Sequence, residues 1–353
     1  MKIKSTSESF KVEEILSQPL SSSGKHRVYR LWKRGLETLS VLRRIAAESS
    51  LPLRFISYGG LKDKNAETVQ FISVPSRFRL KEFNLPNLKL KEVGFLSVPV
   101  EKAVSGNKFE IFVEGVSELP SERLAVLKEY GFPNYYGEQR FTSIRNGKLF
   151  AHHLKNREEA LLFLFRPAGW ESSRERKGKK AILRGDYGTA EKLLKGWRRK
   201  VAAFLKRGGT LKEAFRLIPE EEIEFQMNVL QSLLFNEKLK KLVESSAVKT
   251  VKFKYRGGEF LFSLERVTVP GELPSYTPGS EVYRDLIEEI GIDENSLKPY
   301  EKHFHRFSRK TFVKPEELSL EKLSQGILFK FSLPKGSYAT VPLRFLFSAV
   351  KNP

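Results

Sequence analysis

The apolar pattern of this 353-residue chain changes its period twice, and that double change restricts the fold more than any other feature. Residues 26–32 (HRVYRLW), 68–74 (TVQFISV) and 108–114 (KFEIFVE) read as strands. In the last of them Phe109, Ile111 and Val113 share one face, with Lys108, Glu110 and Glu114 on the other. Between the first two, Leu36, Leu39, Leu42 and Ile45 recur at helical spacing, bounded by Gly35 and Pro52. A helix over 119–131 stops at Gly131-Phe132-Pro133. From there the pattern is mostly helical: Leu193, Leu194, Trp197, Val201, Phe204 and Leu205, then Phe225, Val229, Leu233 and Leu234 within 222–243. The last forty residues return to alternation, with Ile327, Phe329, Phe331 and Leu333 on one face. A turn at Pro334-Lys335-Gly336 leads into a β-rich run through Tyr338, Thr340 and Val341. Strand-rich, helix-rich, strand-rich is the order expected of one α+β domain interrupted by an inserted one.

Charge narrows the partners. Sixty-three Lys and Arg stand against 42 Asp and Glu, a net +21. Such an excess attracts polyanions, because each cation set on a phosphate releases a counterion. The excess is concentrated in the middle: Arg174 to Arg207 holds thirteen Lys and Arg and three acids. The segment is either an RNA-gripping surface or a solvated helical face.

Several chemistries lack their residues. There is no cysteine, so disulfides, thiolate metal sites and cysteine nucleophiles are excluded. No phosphate loop, nucleophile elbow, H-E-x-x-H or dinucleotide fingerprint occurs. No secretory h-region and no membrane-length apolar run is present, so a cytoplasmic, soluble protein is expected. His303 and His305 would share a strand face, but with no acidic cluster nearby a phosphate contact or a plain surface position is a better reading than a metal site.

One segment suggests chemistry, Tyr58-Gly59-Gly60-Leu61-Lys62-Asp63-Lys64. Two glycines permit a sharp turn, and lysines on both sides favour the charged carboxylate, as a nucleophile or base requires. A hairpin with a solvated charged tip would show the same residues. Gly106-Asn107-Lys108-Phe109 sets an amide near an aromatic ring, the pair a base pocket needs, although a turn Asn and a core Phe explain it equally. Tyr338 follows the Gly336 turn, where its ring either faces a ligand or caps the sheet.

Taken together these segments resemble the TruD family of tRNA pseudouridine synthases. Lys4 through Glu13 (KSTSESFKVE) is similar to the family's N-terminal Lys and Phe-x-Val-x-Glu, with Phe10 and Glu13 as the matching ring and acid. Gly60 to Ala66, with Thr68 and Gln70, resembles the signature around its catalytic Asp, and Gly106 to Phe109 its Gly-Asn-x-Phe element. Pro133 to Phe141 and Gln231 to Asn236 resemble the start and a helix of its inserted domain. Phe331 to Thr340, with Arg344, resembles its C-terminal element. Two departures stand out: a single Lys in 96–103, where the family carries a basic run, and Phe345 in place of a common Glu.

The resemblance implies a pseudouridine synthase fold, a mixed and mainly antiparallel sheet flanked by helices. It places the catalytic domain at 1–131 and 313–353 and an inserted, mostly helical, basic TRUD domain at 132–312. It implies isomerisation of a uridine in tRNA, at position 13 of the D arm. The C1′–N1 bond breaks, the base rotates, and it rejoins through C5. Asp63 is then the catalytic carboxylate and Lys4 its cationic partner. Phe10, Asn107, Phe109 and Tyr338 are substrate-binding positions, with Phe109 stacking on the flipped uracil. Flipping costs a few kcal/mol, and a stack returns about 1–3 kcal/mol. Such an isomerisation implies no cofactor and no metal. A monomer is expected from self-repulsion of the basic surface. A non-catalytic RNA binder or chaperone on the same scaffold is the alternative that charge alone would satisfy.

Overall fold

The computed structural model describes residues 9–116, 118 and 120–347. Two units can be separated. One takes in the described residues up to Phe132 and those from Val313 onward; the other is Pro133–Phe312.

The first unit is built on nine strands: β1 (Phe10–Leu16), β2 (His26–Arg34), β3 (Ser57–Tyr58), β4 (Glu67–Pro75), β5 (Phe83–Leu85), β6 (Leu88–Leu96), β7 (Val104–Glu114), β8 (Glu316–Leu323) and β9 (Gly326–Pro334). They run in the order β8-β9-β7-β1-β4-β2-β6-β5, with β3 beside β4. Only β1 and β4 pair in parallel; the other neighbours are antiparallel. The sheet is therefore mixed and mainly antiparallel, as expected. The C-terminal segment reaches its place beside β7 in full register, Phe331 opposite Phe109 and Leu333 opposite Asn107. Gly106 allows that approach, since a Cβ there would sit 2.6 Å from the Leu333 carbonyl oxygen.

Alternation gives the sheet a main inner face, while Val28 on the opposite side is buried with Leu96, Val100 and Ala103 in a second cluster. Tyr29, Leu31, Ile72 and Val74 on the main face are buried under helix α1 (Thr38–Glu48) through Val41, Leu42, Ile45 and Ala46. At the other end Phe329 meets Phe347 edge-on at 5.1 Å. Phe347 belongs to a helix, Thr340–Phe347. The sequence reads as a β-rich run there because Thr340 and Val341 are β-branched. In the fold Val341, Leu343, Phe345 and Leu346 are all buried, and burial on several sides overrides the weak local preference. Pro342 is tolerated in the first turn, where its missing N–H has no intrahelical partner.

The second unit is mostly helical. Its helices include Arg157–Leu164, Ser173–Leu183, Gly196–Lys206 and the 27-residue Glu220–Ser246. A hairpin, Thr250–Tyr255 with Gly258–Ser263, packs against the last of these. His303 is buried at the end of a 3-10 helix, Glu294–His303, and His305 lies beyond it, its Nε2 2.8 Å from Glu224 Oε1. The shared strand face expected of the two histidines is absent, because His303 closes the 3-10 helix and His305 lies beyond it in no strand. Among the described residues no cluster of three His, Asp or Glu is placed to hold a metal, and no helix is long and apolar enough to cross a membrane.

Candidate active site

Between the two helix-covered ends, the inner face of the sheet turns polar. Val12 aligns with Thr68 and Phe109, and Thr68 with Lys33. One step along, Glu14 lies opposite Asn107 and Gln70 opposite Leu31. Lys33, Thr68, Gln70 and Glu14 are all buried there. An apolar sheet face would not carry such a stripe unless something polar covered it.

The cover is the loop 59–66 that presents Asp63. Lys33 reaches up from β2 and its Nζ donates to the backbone carbonyls of Leu36 (2.9 Å), Asp63 (3.2 Å) and Lys62 (3.5 Å). Thr38 at the start of α1 exchanges hydrogen bonds with Lys62: the Lys62 N–H donates to Oγ1 at 3.1 Å, and Oγ1 donates to the Lys62 carbonyl at 3.2 Å. Lys62 Nζ lies 2.6 Å from Glu14 Oε1 as an ion pair, while Glu14 Oε2 accepts from the Phe71 N–H at 2.7 Å. Gly59 fits over this pair because a Cβ would fall 2.9 Å from Glu14 Oε1. The Asp63 carboxylate receives the Asn65 N–H on Oδ1 at 2.9 Å, an Asx turn that orients it.

Burial pushes the Lys33 ammonium down to about 8, and the Asp63 charge opposes that shift. Asp63 therefore sits beside a buried cation, in addition to its neighbours in sequence.

Of the residues singled out in the sequence, Asp63, Phe10, Asn107 and Phe109 are associated with this face. The Phe109 ring is buried between Phe10, edge-on at 6.3 Å, and Phe331, tilted at 5.5 Å. Asn107 lies within β7, so the turn expected there is absent; its Oδ1 is buried without a hydrogen-bond partner. Tyr338 is half-buried between the Gly336 turn and the C-terminal helix. Lys4 lies outside the described residues. Glu13 points to the opposite, open face and pairs with Arg30 at 3.0 Å. The buried acid of β1 is its neighbour Glu14, and Phe-x-Val-x-Glu counted from Phe10 also ends on Glu14, so the matching acid is Glu14 and not Glu13.

Lys33, Glu14 and Thr38 were not singled out by the sequence reading. The signal was present: in HRVYRLWKR the inward phase is Tyr29, Leu31, Lys33, and in FKVEEIL it is Phe10, Val12, Glu14. A charge at an inward position calls for a partner.

The fold also occurs in a solved structure: a putative tRNA pseudouridine synthase D from Methanosarcina mazei superposes with a TM-score of 0.63 at 23% identity, over 98% of this chain and 92% of that one. The class is thus the pseudouridine synthase fold with a large second unit. The model of the family described as tRNA pseudouridine synthase D (TruD) matches residues 1–253 and 242–346. Relatives are similar over full length. One is tRNA pseudouridine synthase D of Aquifex aeolicus, 29% identical over all of both chains. Another is probable tRNA pseudouridine synthase D 1 of Methanococcus maripaludis, 26% identical over 99% of this chain and 100% of that one. This chain belongs to the TruD family of pseudouridine synthases.

Proposed function

We propose that this chain isomerises a uridine of tRNA to pseudouridine and that Asp63 is the carboxylate that does so. The observation that carries the assignment is the anchoring of the Asp63 loop. Lys33 and Thr38 hold its backbone over the sheet face that bears Asn107 and Phe109. An acid whose loop is fixed through main-chain contacts is held in place before a substrate arrives, and fixed geometry is where much of catalysis resides.

The base leaves its stack and lies against the rings of Phe10 and Phe109, with Asn107 and Tyr338 contacting it and Lys4 adding a counter-charge to Asp63. Asp63 acts either on the sugar or base, or on a ribose proton. The glycosidic C1′–N1 bond breaks, the uracil turns in place, and C5 bonds to C1′ as its proton leaves for N1 through solvent. Atoms and electrons balance within the nucleotide. In this reading the sheet unit is catalytic and the basic second unit grips the RNA. The target is uridine 13 of the D arm, and the enzyme is a cytoplasmic monomer.

The test is Asp63→Asn in the purified chain with a tRNA transcript, pseudouridine being read by carbodiimide adducts or mass spectrometry. The expected loss in turnover is at least about 10⁴-fold, with tRNA affinity within about threefold of wild type. Turnover retained in Asp63→Asn would sink the assignment, and mapping pseudouridine in total RNA with and without the protein identifies the uridine.

A further inference from the structure

The second unit holds a cavity of about 200 Å³ that the site above does not use. Three aromatic rings border it; Phe163 is buried, and the other two reach water, Trp170 being 62% exposed and Phe225 38%. Single exposed rings are ordinary on protein surfaces; two on the rim of one cavity form a stacking platform. The floor is polar and already balanced, with Lys179 and Glu171 paired and almost wholly buried. Glu171 also accepts the Ala168 N–H at 2.9 Å.

The wall has unspent hydrogen-bonding capacity. The Arg198 guanidinium lies over the Trp197 ring at 4.6 Å and 3.6 Å from Glu222 Oε2, yet its Nε is buried with no partner. Ser143 Oγ is likewise buried without a partner. Such groups are costly unless something pairs with them. The cavity is smaller than the roughly 300–1,000 Å³ of sites for drug-sized ligands, which suits one flat heterocycle. Arg145, Lys179 and Arg198 in the lining outnumber Glu171 and Glu222 by one, and the 174–207 segment beside it carries thirteen Lys and Arg against three acids. A polyanion is therefore drawn to this face.

We propose that this cavity receives one unstacked nucleotide of the RNA substrate, its base between Trp170 and Phe225 and its edge or phosphate on Ser143 and Arg198. The proposal rests on the RNA reading above and adds a second, non-catalytic contact that holds the substrate.

The experiment uses the full chain. Trp170→Ala and Phe225→Ala truncate exposed rings and leave the core intact. Each is expected to raise KM for a tRNA transcript about tenfold, from the loss of one base stack, while kcat changes less than twofold. Trp170→Phe should restore KM to within about threefold. For direct binding, Trp32→Phe and Trp197→Phe leave Trp170 as the sole tryptophan, in an Asp63→Asn background that cannot turn over. The transcript should quench its emission, and free AMP or UMP at the same nucleotide concentration should not.

An unchanged KM in both alanine variants overturns the proposal, as does a loss confined to kcat. Equal quenching by free AMP or UMP overturns it too, and marks a mononucleotide site instead. The two readings fail separately. If wild type makes no pseudouridine while the transcript still quenches Trp170, the activity falls and the pocket stands. If pseudouridine forms with KM indifferent to both rings, the pocket falls and the activity stands.

Discussion

Among the described residues two lysines are almost wholly buried, Lys33 in the sheet unit and Lys179 in the second unit, and they are accommodated in different ways. Lys179 has a carboxylate directly on it, Glu171, itself buried. Burial lowers the affinity of the Lys179 ammonium for its proton, and the Glu171 contact opposes that. Its charge is consumed within the fold. Among the described residues no carboxylate comes within ion-pair distance of Lys33. It is satisfied by three backbone carbonyls, two of them in the Asp63 loop. Carbonyl oxygens satisfy the N–H donors without cancelling the charge, so the field of Lys33 remains available to Asp63. A buried cation that only stabilises a fold is best neutralised. One left uncancelled beside an acid is arranged for that acid.

The comparison breaks first at Lys179. Glu171→Gln removes one charge of a buried pair and is expected to cost about 3–5 kcal/mol of stability, measured by urea denaturation. Replacing both partners, Glu171→Leu with Lys179→Met, should recover most of that loss, because no uncompensated charge remains. If the single substitution proves neutral, the pair is not neutralised in the way described. The next effect belongs to Lys33. Lys33→Met is expected to lower kcat about 100-fold, or about 2.7 kcal/mol of transition-state stabilisation, while KM for tRNA stays within about threefold. A matching rise in KM would mean that the whole substrate surface had been lost, not the aim of one carboxylate.

The contrast also shows what a sequence exposes. Strand phase is short-range: alternation in 108–114 and 327–333 recovers the faces of β7 and β9, and helical spacing from Leu36 locates α1. Asp63 is legible because glycines and flanking charges announce a loop. The ties that hold it are not, because Lys33, Thr38 and Glu14 lie far from it along the chain and meet it only through strand order and the crossing of α1. The phase of β1 and β2 already turned Glu14 and Lys33 inward, but phase alone names no partner. The C-terminal helix was missed for the converse reason: its β-branched start favours extension locally, and tertiary burial of Phe345 and Leu346 decides against it. The Trp170 cavity is invisible in sequence, since its lining is gathered from residues 142 to 226.

The smallest expected effect separates the two lysines by titration. Lys33 has a proton affinity near pH 8 in the folded chain against an ordinary 10.5. Between those values the unfolded chain retains a proton that the folded chain has released, so folding stability rises with pH across that window. The sign is that of a cation penalised by burial: the penalty is present in full below pH 8 and is relieved above it. Lys33→Met has no such proton. Wild type should therefore gain about 1–2 kcal/mol on Lys33→Met between pH 7.5 and pH 10, measured by chemical denaturation of both proteins at each pH. Asp63, Lys62 and Glu37 act electrostatically on Lys33, and Glu14 faces Lys62. These neighbours modulate where the window lies, and its direction comes from the burial of Lys33, the largest cause of the shift. Glu171→Leu with Lys179→Met, run alongside, should show a smaller gain, because Glu171 holds the Lys179 proton against its burial. A flat difference between wild type and Lys33→Met would show that Lys33 is solvated like a surface lysine, and the charge assigned to the underside of the Asp63 loop would have to come from elsewhere.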